Sequence, residues 1–280
     1  MNKVVYVSDF LLSDILGGGE LNDHELCNGL KERKVNLSIV KSHKLDLQNV
    51  NINTFYIISN FINLKSEVKD FITKKCKYII YEHDHKYIST RNPANFKNYK
   101  APESLIINKK FYQNAKLIYC QSSFHKSIIE KNINLHNIYN VSGNLWSMES
   151  LNKLSALSKK SKENCYSILN SRIPHKNTTE TKFYCDNKGY KYQLISSGVY
   201  DEFLNKLSNN DKFIFLPKTP ETLSRVVVEA RMMNIKTITN KNVGASYEPW
   251  FSLKGQELID FMFNKKYEIL NKTIEIMNEK

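Results

Sequence analysis

Glu221 and Glu229 stand with seven residues between them in the segment Thr219-Pro-Glu-Thr-Leu-Ser-Arg-Val-Val-Val-Glu-Ala-Arg-Met-Met233. The preceding run Lys212-Phe-Ile-Phe-Leu216 is apolar and aromatic enough for a buried strand. Thr219 offers an N-cap with Pro220 at a permitted first-turn position, and Val226, Val227 and Ala230 give the spacing of a helix over Thr222–Met233 that faces a sheet. On one continuous helix, eight steps of about 1.5 Å put the two carboxylates roughly 12 Å apart. An acid and base flanking one glycosidic bond need about 5 to 9.5 Å, so this pair is suited instead to holding two ends of one long ligand.

Three other segments carry chemistry-bearing types. Gly17-Gly18-Gly19-Glu20 precedes a predicted helix, and without Cβ atoms its backbone N–H groups can approach a phosphate or sugar; a plain flexible turn is the competing reading. In Tyr81-Glu-His-Asp-His85, His83 and His85 would share one face of an extended strand and recruit a metal with Glu82 or Asp84. A single histidine presented to a cleft, or a hydrogen-bonded structural histidine, competes with that. Ser171-Arg-Ile-Pro-His-Lys176 puts Arg172, a bidentate phosphate binder, near Lys176, a mobile point charge. The predicted helix N-terminus after Glu221 adds backbone donors from Thr222 and Leu223 for the same anion. Basic and aromatic residues between Lys86 and Lys100, among them Tyr87, Arg91, Phe96, Lys97 and Tyr99, read as an exposed loop able to track a polyanion or stack on a base or sugar.

The elements that must position these residues alternate regularly. Strands are expected at Lys3–Ser8, Asn36–Lys41, Thr54–Ser59, Lys77–Glu82, Lys116–Gln121 and Asn137–Val141, with helices at Glu20–Arg33, Leu64–Lys75, Glu103–Asn114 and Ser123–Lys131 between them. The polar stretch Ser147–Glu163 reads as an inter-domain crossing. The alternation restarts with strands Cys165–Asn170, Tyr190–Ser196, Lys212–Leu216 and Lys236–Thr239 and helices Thr178–Asn187, Asp201–Leu207 and Thr222–Met233. An amphipathic tail, Gln256–Lys280, offers Leu258, Ile259, Phe261, Met262, Tyr267 and Leu270 for packing. This is the pattern of an α/β protein with two Rossmann-like domains, 1–150 and 151–280, facing across a cleft.

Composition bounds the rest. A chain of 280 residues with a 41% apolar fraction can build two cores. No run approaches the roughly 18 apolar residues of a membrane span, and Asp9 interrupts the first apolar stretch before it could serve as a signal core. A cytoplasmic protein is expected, peripheral at a membrane at most. The five cysteines are odd in number, scattered and without a CxxC pair, so neither a disulfide framework nor a structural zinc site is indicated. The formal charge of +13 suits a polyanionic partner, DNA or an anionic membrane surface. Abundant Lys, Asn, Ile and Tyr, with the lysines scattered, give composition bias as the alternative.

Taken together and in order, these segments resemble the retaining glycosyltransferases of the GT-B fold, glycosyltransferase family 4 in particular. Gly17-Gly18-Gly19-Glu20 is similar to the family's glycine loop, His83-Asp84 to its His-Asp after a strand, and Cys120-Gln-Ser-Ser-Phe-His-Lys126 to its serine-containing turn. Arg172 and Lys176 resemble the donor-domain cation pair, and Pro220–Ala230 the two-glutamate motif, followed by a strand and glycine loop over Asn234–Ala245. Ser224 stands where the family usually has Gly, and the donor domain is shortened between Lys176 and Lys212.

The resemblance implies a GT-B architecture with the C-terminal helix packing back toward the N-terminal domain. It implies a metal-independent retaining glycosyltransferase that uses a UDP- or GDP-linked sugar as substrate and no cofactor. A glycan or lipid-linked saccharide is the acceptor the resemblance implies; the +13 charge motivates a hydroxylated base of DNA as the alternative, and a non-catalytic sugar-nucleotide- or nucleic-acid-binding module is the reading from another class. By the same resemblance Glu229 binds ribose, Glu221 faces the transferred sugar, Arg172 and Lys176 neutralise the diphosphate, and His83 lines the reacting sugar. Thr222, Leu223, Gly18 and Gly19 complete the donor site, with Ser197 and Gly198 near the base.

Overall fold

A computed structural model of the protein describes residues 3–196 and 198–279. Two parallel sheets form within two compact units, one running to Leu145 and resumed from Lys265 onward, the other spanning Trp146–Asn264.

In the first unit the chain runs β1 (Val4–Ser8), α1 (Gly18–Glu32), β2 (Leu37–Lys41), β3 (Phe55–Ile58), α2 (Ser66–Lys75), β4 (Lys77–Tyr81), α3 (Lys109–Gln113), β5 (Leu117–Cys120), α4 (Ser123–Asn132) and β6 (Ile138–Asn140). The strands β1 and β3 are buried along their whole length, which is why they read as unbroken apolar runs: helices cover both faces of a parallel sheet. Alternation then splits the core in two. Val5, Val7, Ile58 and Ile80 pack on one face, while Val4, Tyr6, Ile57 and Ile79 pack on the other. The sheet order β2-β1-β3-β4-β5-β6 reverses direction between β1 and β3, and it is at the carboxyl ends of strands at such a switch point that open α/β sheets form a crevice. There buried Asp9 ties the loops together, accepting from the Ser42 hydroxyl and from the amides of Ile62 at 2.8 Å and Asn63 at 2.9 Å.

The second unit follows as α5 (Met148–Ser158), β7 (Glu163–Leu169), α6 (Thr178–Asn187), β8 (Tyr192–Ile195), α7 (Tyr200–Leu207), β9 (Asn210–Phe215), α8 (Arg225–Met232) and β10 (Lys236–Thr239). Its order β10-β9-β7-β8 reverses between β7 and β9. The last helix, α9 (Gly255–Asn278), serves both units. Leu258, Ile259 and Met262 enter the core of the second, and Ile269, Leu270, Ile276 and Met277 that of the first. Leu270 meets α1 at Gly29, where an added Cβ would lie 2.6 Å from the leucine methyl, so any larger residue there must push Leu270 aside. Lys266 and Glu25 form a buried ion pair beside it. Tyr267, expected to pack, is 41% exposed, with the Arg33 guanidinium over its ring.

Three expected elements differ. The crossing at Ser147–Glu163 contains α5, because the Ser147 hydroxyl caps the amide of Ser150 at 3.0 Å and Leu151 and Leu154 bury one face. The helix expected at Glu103–Asn114 shrinks to α3, after a separate short turn at Glu103–Leu105. The root of the Lys86–Lys100 loop is not exposed: Lys86, Tyr87 and Ile88 are fully buried, and Phe96 and Tyr99 pack against the core.

Candidate functional site

The switch point of the second sheet gathers three of the expected residues. The chain leaves β7 through Ser171 and exposed Arg172, makes a short turn over Pro174–Lys176, and enters α6 from Asn177 in the left-handed conformation (φ 64°), which Asn tolerates. Asn177 donates to the Leu216 carbonyl at 2.7 Å, and the Lys218 amide to the His175 carbonyl at 2.9 Å, so this turn is tied to the exit of β9. Lys176 Nζ consequently reaches Glu221, 2.8 Å from Oε1 and 3.0 Å from Oε2. Both side chains are partly accessible, 25% and 15%. Cations next to a carboxylate at the carboxyl edge of an α/β sheet can neutralise a phosphate and orient a sugar hydroxyl together.

Glu221 is not on a helix. Its amide donates to the Asn242 carbonyl at 2.7 Å and its carbonyl accepts from the Gly244 amide at 2.9 Å, an isolated parallel bridge beside Val243. Thr222 and Leu223 therefore lie before the helix, and Leu223 is fully buried; they are not the helix-terminal donors expected of them. Helix α8 starts at Arg225 after Ser224, which is left-handed (φ 74°), so the expected N-cap at Thr219 is displaced five residues along. The 1.5 Å rise behind the 12 Å spacing applies only within a helix, and this segment breaks that condition.

Glu229 lies on α8 with its side chain 3% exposed. Its Oε1 accepts from Trp146 Nε1 at 3.0 Å, Tyr200 Oη at 2.5 Å and Arg225 Nε at 2.8 Å. The Arg225 guanidinium also stacks 4.3 Å from the centre of the Trp146 ring. Burial, with the Glu229 carboxylate beside it, holds the Tyr200 hydroxyl well above the usual phenol range. These three partners were not among the expected residues. Arg225 was legible four residues before Glu229 on a helix; Trp146 and Tyr200 come from distant segments and left no local signal. Gly198 is exposed, with open space where a Cβ would be, and Ser197 lies outside the described residues.

In the first unit Gly17 precedes α1, Gly18 begins it, and Gly19 faces His83, whose Cγ would lie 3.5 Å from an added Cβ. His83 is held at both ring nitrogens: Nε2 bonds Asp23 Oδ1 at 2.5 Å, and Nδ1 accepts from the Gln121 amide. That arrangement puts the ring proton on Nε2, toward Asp23. Tyr81 stacks on the ring at 4.8 Å, and the Ser59 hydroxyl donates to the other Asp23 oxygen at 2.6 Å. Burial pushes the Asp23 carboxyl up, but the His83 ring and the bonds from His83 and Ser59 hold it below the usual range.

The expected metal pair does not assemble. Strand β4 stops at Tyr81, so the alternation that would align His83 with His85 is lost. His85 Nδ1 bonds the Tyr87 hydroxyl at 2.8 Å and its ring packs edge-on against His125. Among the described residues no group of three His, Cys, Asp or Glu side chains is placed to hold a metal. Burial, with His85 nearby, keeps His125 neutral; its Nε2–H donates to the Asp84 carbonyl at 3.1 Å. Glu82 forms a fully buried pair with Lys86 and accepts from Tyr112. Arg91 pairs with Asp84.

No family model and no curated protein matches the sequence. Among solved structures, a glycosyltransferase from Rickettsia africae superposes with a TM-score of 0.55 at 17% identity, covering 100% of this chain and 99% of the other. HepE of Anabaena, in complex with UDP and glucose, gives 0.52 at 12% identity over 96% of this chain and 90% of its own. A UDP-GlcNAc 2-epimerase of Methanocaldococcus jannaschii, in complex with UDP-GlcNAc and UDP, gives 0.50 at 12% identity over 99% and 93%. At these identities the likeness is one of fold: the chain has the two-sheet α/β fold of these proteins.

Proposed function

We propose that this protein is a retaining, metal-independent glycosyltransferase of family 4 that moves a sugar from a UDP- or GDP-linked donor to a hydroxyl of a glycan or lipid-linked saccharide. The observation that carries the reading is the Lys176–Glu221 pair at the switch point of the second sheet, with exposed Arg172 on the same loop. Two of the three structures above hold UDP, in one case with glucose and in the other with UDP-GlcNAc.

In this reading Arg172 and Lys176 take up the negative charge that develops on the diphosphate as the sugar bond breaks, which lowers the barrier electrostatically. Glu221 gives up part of its bond to Lys176 and accepts from hydroxyls of the transferred sugar. Glu229, fixed by Arg225, Trp146 and Tyr200, marks the ribose end. The departing phosphate takes the acceptor proton on the same face, so no protein base is assigned.

A panel of UDP- and GDP-sugars tests this. At least one donor is expected to raise the melting temperature and to be slowly hydrolysed in the absence of acceptor. A panel in which no nucleotide binds and no donor turns over would remove the transferase reading.

A further inference from the structure

The two oxygens of the buried Glu229 carboxylate are used unequally. Oε1 takes three donors from three separate segments: Trp146 ahead of α5, Tyr200 at the start of α7 and Arg225 at the start of α8. Oε2 accepts from none of the described residues, and it is not sealed inside the protein. A carboxylate offers about four lone-pair sites, two on each oxygen, so protein donors fill Oε1 and leave Oε2. With only 3% of the side chain exposed there is little surface for water to make up the difference. A buried acceptor short of donors costs free energy and points to a ligand that supplies one.

Place and charge define that ligand. Tyr200 opens α7 just after β8, and Arg225 opens α8 on the segment that follows β9, so the network stands on the same edge of the second sheet as Lys176 and Glu221. The Arg225 guanidinium, 6% exposed and stacked on the Trp146 ring, already balances the carboxylate charge. The donor still required is therefore neutral, an O–H or N–H group, and not a second cation. A carboxylate with both oxygens open can take the two neighbouring hydroxyls of a ribose, one on each. With Oε1 filled, both O–H groups would have to converge on one atom with their protons facing each other.

We infer that Arg225, together with Trp146 and Tyr200, sets the nucleotide specificity of the donor site: Glu229 holds the ribose through a single hydroxyl, on Oε2, and a nucleoside diphosphate sugar that lacks the other hydroxyl is accepted as donor. The inference rests on the reading of Glu229 as the ribose end. It widens the donor class from ribonucleotides to one series of deoxyribonucleotides.

The test is calorimetric binding, to the full chain, of whichever of UDP and GDP the donor panel selects and of its 2′-deoxy and 3′-deoxy forms. One deoxy form is expected to bind within about three-fold of the ribonucleotide, and the other at least about ten-fold more weakly, the loss of one hydrogen bond to a charged group. A sugar linked to the tolerated deoxynucleotide should be turned over with a KM within about three-fold of the ribonucleotide donor's. Tyr200→Phe, and more fully Tyr200→Phe with Arg225→Leu, opens Oε1 to the second hydroxyl, so the tolerated form should fall behind the ribonucleotide by about ten-fold. A merely structural loss would weaken all three ligands alike and leave their ratios where they were. In the unmutated protein, ten-fold losses for both deoxy forms would show two hydroxyls gripped, and no loss for either would show none; each result overturns the inference. Unchanged ratios in Tyr200→Phe and in the double variant, with the melting temperature kept, would overturn the part given to Arg225 and its partners. Failure of both UDP and GDP to bind would instead count against the transferase reading itself.

Discussion

Lys176 spans both carboxylate oxygens of Glu221, at 2.8 and 3.0 Å, across two loops that leave neighbouring strands β7 and β9. The pair is partly solvated, so breaking it should cost no more than about 1 kcal/mol of stability. If the two side chains act on charge that develops in the reaction, their loss should cost about 100- to 1000-fold in turnover. Lys176→Ala and Glu221→Ala are expected to melt within a few degrees of the parent and to be nearly inactive. Near-normal turnover in either variant would remove its assigned role.

Glu229 should behave in the opposite way. Removing its carboxylate takes the ion-pair partner in this network from the buried Arg225 guanidinium and a hydrogen-bond acceptor from Trp146 and Tyr200. Breaking a buried charge pair from one side costs about 3–5 kcal/mol. Urea denaturation of Glu229→Ala should show that loss, and a midpoint close to the parent would mean the network is not what holds α8.

Ser224 is held left-handed and its buried hydroxyl has no partner. A side chain in that conformation costs about 1–2 kcal/mol, against which glycine loses about 0.5–1 kcal/mol through its freer unfolded chain. With the orphan hydroxyl also gone, Ser224→Gly is expected to be more stable by about 1 kcal/mol. A lower urea midpoint for the variant would show that the hydroxyl is stabilising after all.

Asp23 predicts a pH dependence. Its carboxyl is held below the usual range in the folded protein, chiefly by His83 working against burial, so its contribution to stability is complete above the unfolded value of about 3.9 and fades as pH falls through the lower folded value. The gap in urea midpoint between the parent and Asp23→Asn should therefore be widest above about pH 4 and narrow below it. A gap constant down to strongly acid pH would contradict the sign.

Metal independence is checked by dialysis against EDTA. Transfer should be unchanged after chelation and unstimulated by added Mg²⁺ or Mn²⁺, whereas a strict requirement would refute charge neutralisation by Arg172 and Lys176 alone.

The buried strands such as β1 and β3 were legible because parallel strands covered on both faces must be continuous apolar runs; the polar edge strand Lys236–Thr239 and helix Thr178–Asn187 were also read to the residue. Local pattern failed where distant backbone decides. Glu221 reads as helical by the valines that follow, yet its amide and carbonyl are claimed by Asn242 and Gly244, some twenty residues on. The Lys86–Lys100 loop is polar enough to look exposed, but a buried Lys86–Glu82 pair and the Tyr87–His85 bond draw its root inward. Residue types pointed to Lys176, Glu221 and His83; the partners that fix His83 and Glu229, namely Asp23, Gln121, Trp146 and Tyr200, are visible only once the chain is folded.

Helix α9 gives the first unit a problem of timing. Leu270, seated against Gly29, and Lys266, paired with Glu25, belong to a unit whose residues up to Leu145 are all made long before α9. Translation proceeds at about 5–20 residues per second, and domains generally mature from the N-terminus as they emerge. Here the whole of Trp146–Asn264 must be synthesised first, a delay on the order of ten seconds at that rate. Until then α1 has an empty groove at Gly29 and an uncompensated Glu25. The first unit thus keeps this part of its core open until α9 is made, whereas the second unit needs no residue beyond Asn264.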